Sequence, residues 1–164
     1  MREVQTYMDK LGRTPHRVAA IAGLAVALSL APSPSSASNL HHATTPPGPC
    51  PLTRIAKETM QGFSRRLITC ATANWPVPGG AKRAICIARR ESGLIPTATS
   101  PGGRYLGLFQ HAKAYWPSRF KRFVPAAWHL STSALSGRSN AIVTMRMVRA
   151  LGGWKASGWP VGSC

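Results

Sequence analysis

The sequence predicts a mostly α-helical fold. Three segments carry apolar residues at helical spacing, namely 53–73, 81–92 and 139–151. Residues 94–110 lie between the second and third and are rich in Pro, Thr, Ser and Gly, which indicates a structured loop or a short β-ribbon. The chain contains no internal repeat, heptad run or βαβ alternation. Its 164 residues therefore predict one helical domain of ordinary size behind any leader.

The first 37 residues predict a signal peptide. An uncharged, Ala/Leu-rich run over 18–31 follows a basic region and precedes Ser35-Ser36-Ala37, which resembles a cleavage site. The run is shorter than the about 20 residues that cross a bilayer, which favours export over an uncleaved anchor. Residues 38–51 contain four prolines, one glycine and the pair His41-His42 and predict a flexible extension, so the folded domain is expected to be 52–164. We expect an extracytoplasmic protein.

The first helix is expected from Thr53 to about Ala73. On this pattern Glu58 lies within an amphipathic helix, as a surface glutamate. A loop over 74–80, with two prolines and two glycines, ends the helix. The apolar positions that define this helix are Ile55, Met60, Phe63, Leu67 and Cys70.

Three further helices follow in order. The second should run from Ala81 to Ser92, and Gly93 is a typical residue to end it. A short helix is expected around 113–116, with an interruption at Pro117. The last strong helix should cover 139–151. The bulky residues expected to fill the core between them are Phe120, Phe123 and Trp128.

The four cysteines all lie beyond the predicted leader. An even number of cysteines in an exported chain predicts disulfides, and four allow three pairings. We favour Cys50–Cys70, which would tie the start of the domain to the first helix, and Cys86–Cys164, which would tie the tail to the second. Their spacings match no zinc pattern, so we expect neither a metal nor a cofactor.

The charge is strongly one-sided. Four of the 21 Lys and Arg and two of the four acidic residues fall in the leader, which leaves 17 cations against Glu58 and Glu91, a net charge of +15. Such a surface attracts a polyanion, whether nucleic acid, anionic lipid or a wall polymer. Export and the absence of a nucleic-acid motif favour anionic cell-wall polymers and argue against nucleic acid.

Few residues are available for chemistry. No Asp remains beyond the leader, so a Ser-His-Asp triad is excluded, and no phosphate-binding loop or dinucleotide motif occurs. Glu91 stands out because it ends an apolar helix, where the helix dipole and apolar neighbours both raise a carboxyl pKa. That setting suits a general acid, whereas Arg89 and Arg90 oppose it. A solvated helix-end glutamate is the alternative.

Residues 84–110, AICIARRESGLIPTATSPGGRYLGLFQ, resemble the core motif of lytic transglycosylases of the goose-type lysozyme-like superfamily. The matching elements come in the family's order over 27 residues. The loop before the last element is one residue longer than in the family, and the family's downstream Tyr-Asn-Ala-Gly helix is not recognisable. The matching elements are Glu91-Ser92, Pro96, Ser100-Pro101-Gly102-Gly103 and Gly107-Leu108-Phe109-Gln110.

The resemblance implies a lysozyme-like domain that acts on peptidoglycan glycan strands, in a short secreted form. It implies that Glu91 is the catalytic acid/base. Asn140 resembles the asparagine that begins a later family helix. The predicted substrate-binding residues are Ser92, Ser100, Tyr105, Gln110 and Asn140, and the further aromatic candidates for sugar stacking are Tyr115, Trp116 and Trp154.

A lone glutamate favours one reaction over others. Hydrolysis of a glycoside usually needs a second carboxylate, and Glu58 is a doubtful partner. The family's route uses Glu91 alone and gives a 1,6-anhydro sugar. The alternatives are a muramidase-type hydrolase and a non-catalytic, cationic wall-binding or antimicrobial protein. We expect a monomer.

Overall fold

The computed structural model describes residues 48–50, 53–162 and 164. Four α-helices and a pair of two-residue strands form this part of the chain, which is 52% helical, so the prediction of a mostly α fold is confirmed. The predicted signal peptide, residues 38–47 and 51 of the predicted extension, and residue 52 lie outside the described residues. None of the helices within the described ranges has the length and apolar content to cross a membrane. The helices are α1 (Met60–Asn74), α2 (Gly80–Ser92), α3 (Trp116–Phe123) and α4 (Gly137–Ala150).

Helix α1 begins later than the sequence predicted. It starts at Met60 because the Thr59 side chain accepts a hydrogen bond from the Gly62 N–H and so caps the helix. Glu58 therefore lies before the helix, and its position within a helix was predicted wrongly. Its carboxylate accepts hydrogen bonds from Arg66, 2.7 Å from Nε and 2.9 Å from Nη2.

Helix α2 agrees with its prediction to within one residue. It ends at Ser92, and Gly93 follows in the left-handed conformation at φ 64°, with its N–H bonded to the carbonyls of Ala88 and Arg89. A glycine adopts this backbone without the steric cost of a Cβ atom, which is why the helix stops there. The last turn of α2 is thereby fixed in place.

The segment between α2 and α3 forms the predicted ribbon. Strand β1 (Tyr105–Leu106) pairs antiparallel with β2 (His111–Ala112), and a turn over residues 107–110 joins them. The expected interruption at Pro117 is wrong, because Pro117 lies in the first turn of α3. There a proline lacks only an N–H that the helix would not use.

Helix α4 forms the centre of the core. It packs against both α1 and α3, and ten of its residues are buried. Ser136 caps its first turn by accepting a hydrogen bond from the Ser139 N–H at 3.3 Å. Of the three bulky residues predicted in the core, Phe123 is buried, and Phe120 and Trp128 pack partly buried against it.

Both favoured disulfides are present. Cys50 is bonded to Cys70 and Cys86 to Cys164, with Cα atoms 5.8 and 5.7 Å apart. Such bonds are typical of proteins in oxidising compartments. Residues 48–50, the end of the predicted extension, are held against the domain by the first disulfide and by Arg138, which donates hydrogen bonds to the Gly48 and Pro49 carbonyls.

Candidate active site

Glu91 lies in the last turn of α2 and opens onto a cleft of about 290 Å³. The helix supplies one wall, the β1–β2 ribbon a second, and the C-terminal segment a third. The residues that line this cleft are Glu91, Tyr105, Gln110, Gly158, Trp159 and Pro160. Two aromatic rings and two polar side chains that converge on one cavity form a lining typical of ligand sites.

The Glu91 carboxyl is held toward its protonated form. Burial raises its pKa above the ordinary value, and the nearby Arg90 guanidinium opposes that effect to a smaller extent. Removal of a carboxylate from water destabilises the charged form, because the protein supplies less solvation than water does. The direction of the shift is the one expected from the sequence, and Arg90, which precedes Glu91 and lies on another face of the helix, has the smaller influence.

Gln110 forms the ribbon side of the cleft. Its backbone is left-handed at φ 47°, an uncommon conformation for a residue other than glycine. Its side-chain Nε2 donates to the carbonyls of Gly107 at 2.9 Å and Ala98 at 3.2 Å. The side chain therefore closes its own turn and ties it to the preceding loop, which fixes where Gln110 borders the cavity.

The C-terminal wall was not predicted from the sequence. Trp159 is 6% exposed, and its indole Nε1 donates to the Phe109 carbonyl at 2.9 Å. The Cys86–Cys164 disulfide lies close by along the chain, because Cys86 precedes Glu91 on α2 and Cys164 follows Trp159. The predicted Cys86–Cys164 pairing already implied that the C-terminal tail lies close to the helix that carries Glu91.

The structure brings together three of the six predicted site residues, Glu91, Tyr105 and Gln110. Ser92 and Ser100 are not among the residues that line the cleft, and both serve the local fold. The Ser92 hydroxyl donates to the carbonyls of Leu108 and Ala88, at 2.8 and 3.0 Å. The Ser100 hydroxyl accepts a hydrogen bond from the Tyr105 N–H at 3.0 Å, which orients the strand that carries Tyr105.

Asn140 was predicted to bind substrate, but it is fully buried and is not among the residues that line the cleft. Its Oδ1 accepts from the Phe109 N–H at 2.9 Å, and its Nδ2 donates to the Ala134 carbonyl at 2.9 Å. Gly107 packs so closely on Asn140 and Ala134 that a Cβ atom would collide with both, and its φ is +79°. Asn140 therefore holds the turn over residues 107–110, which ends at Gln110, against helix α4.

Two of the aromatic residues considered for sugar stacking are in the core. Trp154 is 2% exposed and donates its indole N–H to the Pro78 carbonyl, and Trp116 is 6% exposed and donates to the Thr132 carbonyl. Neither residue lines the cleft, so neither is placed to stack on a sugar there. Tyr115 is exposed, and the Arg119 guanidinium lies 5.7 Å from the centre of its ring.

The acid–base chemistry proposed for the cleft depends on one carboxyl group. Glu91 is the only carboxylate among its described lining residues, since Glu58 is paired with Arg66 elsewhere. The described part of the chain contains no group of three or more His, Cys, Asp or Glu side chains placed to hold a metal ion. No family model, curated protein or solved structure matches this chain.

Proposed function

We propose that this protein is a secreted peptidoglycan lytic transglycosylase that uses Glu91 as its single acid/base. The observation that carries the proposal is the half-buried Glu91, which has a raised pKa and faces a cleft with no other carboxylate among its described lining residues. The motif over residues 84–110 supports the substrate class, and the two disulfides support an oxidising compartment outside the cytoplasm.

In the proposed reaction Glu91 first donates a proton and then accepts another. Protonated Glu91 donates to the glycosidic oxygen between N-acetylmuramic acid and N-acetylglucosamine, and the C1–O bond breaks. The acetamido oxygen of the muramic acid stabilises the cationic C1. The Glu91 carboxylate then takes the proton of the C6 hydroxyl as O6 bonds to C1. The products are a 1,6-anhydro end and a free sugar end, with no water consumed.

The walls of the cleft suit a sugar ring. Tyr105 borders the cleft with a partly exposed ring, Gln110 supplies an amide, and the buried Trp159 closes the third side, while carbohydrates present both C–H faces and hydroxyl groups. In addition, 17 cations against two carboxylates beyond residue 37 favour the acidic stem peptides and polymers of a cell wall. This attraction weakens as salt screens the charges.

Mass spectrometry of the muropeptides released from purified peptidoglycan tests the proposal. We compare the mature wild type with Glu91→Gln, which keeps the shape of the side chain but has no acidic proton. Glu58→Gln is the matched control, because it makes the same chemical change at a residue outside the cleft. Anhydro-muropeptides from the wild type and Glu58→Gln, and none from Glu91→Gln, are the expected result.

Other products decide between the alternatives. Reducing-end muropeptides that depend on Glu91 would replace the transglycosylase by a hydrolase of the same site. No release by folded wild type would overturn the enzyme proposal. The net charge favours a second candidate, a cationic wall-binding or antimicrobial protein. Undiminished binding to walls and killing of cells by Glu91→Gln would support it.

A further inference from the structure

A buried histidine lies directly behind the cleft. His111 follows Gln110 in the chain and is 0% exposed. Its ring packs edge-on against Trp159, with centroids 5.3 Å apart, and against Trp116, at 5.1 Å. Both ring nitrogens have partners, Arg119 on α3 and Thr144 on α4. Because His111 belongs to strand β2, these contacts link α3 and α4 to the ribbon wall of the cleft and, through Trp159, to the C-terminal wall.

The partners of His111 determine which nitrogen carries the proton. The Thr144 hydroxyl donates its hydrogen to the Asn140 carbonyl at 2.7 Å, so it accepts from His111 Nε2, which lies 2.8 Å away. On the other side, Arg119 Nη1 lies 3.1 Å from Nδ1, and a guanidinium only donates. Nδ1 is therefore the acceptor. The network requires the neutral imidazole with its proton on Nε2.

The same network continues to the cleft. Thr144 is bonded to Asn140, which holds the Phe109 N–H, and Trp159 holds the Phe109 carbonyl. Gln110 therefore follows a residue whose two backbone groups are both fixed, and it precedes His111. A shift of the imidazole would move the Trp159 ring and the backbone of Gln110, the two cleft residues on either side of it.

We propose that His111 is a positioning residue of the Glu91 site, fixed as the neutral Nε2–H form by Arg119 and Thr144, and that it sets the placement of Gln110 and Trp159. The role in catalysis rests on the proposed function. The role in shaping the cleft does not, because it depends only on contacts within the protein.

The arrangement also resists acid. A second proton on His111 would point an N–H at the Arg119 guanidinium, so two donors and two positive charges would face each other. Burial and Arg119 accordingly hold the pKa of His111 well below its ordinary value. Arg119 is the charged group that faces the ring among the described residues, and its guanidinium also lies 5.7 Å from the centre of the Tyr115 ring. The cleft should keep its shape at mildly acidic pH.

The first measurement is ¹⁵N NMR of histidine side chains in the mature protein, together with the Trp159 indole N–H. The wild type should contain one imidazole in the Nε2–H form that does not titrate between about pH 8 and 5, unlike an ordinary histidine. In Arg119→Gln the pKa of this ring should rise, although burial, the larger cause of its lowered pKa, remains, and the Trp159 signal should shift because the ring loses the partner of Nδ1. An Nδ1–H form in the wild type, or a Trp159 signal unchanged in Arg119→Gln, would overturn the proposal whether or not the protein cleaves peptidoglycan.

The second measurement separates positioning from general stability. Thr144→Val removes the acceptor of His111 at constant shape and should lower kcat about tenfold or more, as small misplacements do. Thr144→Ser should restore most of it. Thr72→Val is the matched control, because Thr72 is also buried and also bonded to its own helix, at Ile68. Equal losses of kcat in Thr144→Val and Thr72→Val at equal folded fractions would contradict the positioning role.

Discussion

The Cys86–Cys164 disulfide connects the helix of Glu91 to the segment that carries Trp159, and its removal should affect both stability and the site. Closing a chain segment reduces the entropy of the unfolded state by an amount that grows with the length of the segment. The separation is 78 residues, for which the chain-entropy relation gives about 4.5 kcal/mol in the free energy of unfolding. The variant replaces both cysteines by serine.

The second disulfide is the internal control. Cys50–Cys70 closes 20 residues, and the same relation gives about 3.3 kcal/mol. Urea denaturation of the two double-serine variants should therefore give losses of similar size, with the larger for Cys86–Cys164. Activity per folded molecule should differ far more, because Cys50 and Cys70 lie outside the lining of the cleft.

The assay is the rate of muropeptide release in the absence of urea, under conditions where circular dichroism shows that both variants are folded. We expect a fall of about tenfold or more without Cys86–Cys164, since a displaced wall misplaces the substrate. Only a small change is expected without Cys50–Cys70. Equal activities in the two variants would refute the idea that this disulfide holds the third wall in place.

Three further predictions concern single residues. Burial raises the pKa of Glu91 in the folded protein above its value in the unfolded chain. The contribution of Glu91 to the free energy of unfolding is therefore fully present below the unfolded pKa and is lost as the pH rises through the folded pKa. Above that pH Glu91→Gln should have the higher Tm, and the wild-type rate should fall over the same range. Asn140→Ala should cost about 3 kcal/mol in urea denaturation, from three lost hydrogen bonds of about 1 kcal/mol each. Gly107→Ala should cost about 2 kcal/mol or more and reduce the soluble yield, because of its positive φ and its contacts with Asn140 and Ala134.

The sequence predicted the helices well where local signals agree. The end of α2 follows from apolar spacing up to Ser92 and a glycine after it, and both signals are local. The start of α1 was predicted too early, because the helical spacing of apolar residues extends back to Ile55, whereas Thr59 caps the helix and the first helical residue is Met60. Ile55 is 60% exposed, so its spacing did not reflect burial.

The site was predicted in part for a similar reason. Glu91 and Gln110 belong to one continuous motif, whereas Trp159 reaches the cleft only through tertiary contacts with Phe109 and the tail. Asn140 was assigned to the substrate although the first turn of a helix can face inward as readily as outward. Its amide satisfies buried backbone groups of the ribbon, a need that appears only once the ribbon is folded against α4.

The tryptophans at and near the cleft make intrinsic fluorescence a possible probe of the cavity. Trp159 borders the cavity, and Trp154 lies 6.0 Å from it, ring centre to ring centre. A saccharide that fills the cavity should change the environment of Trp159, which is 6% exposed, and hence its emission. Trp75 and Trp128 form a separate pair 5.5 Å apart, and neither lines the cleft, so they should contribute a constant background. Intrinsic fluorescence can therefore test whether unlabelled glycans bind to the Glu91→Gln variant, which the proposed mechanism expects to bind them without cleavage.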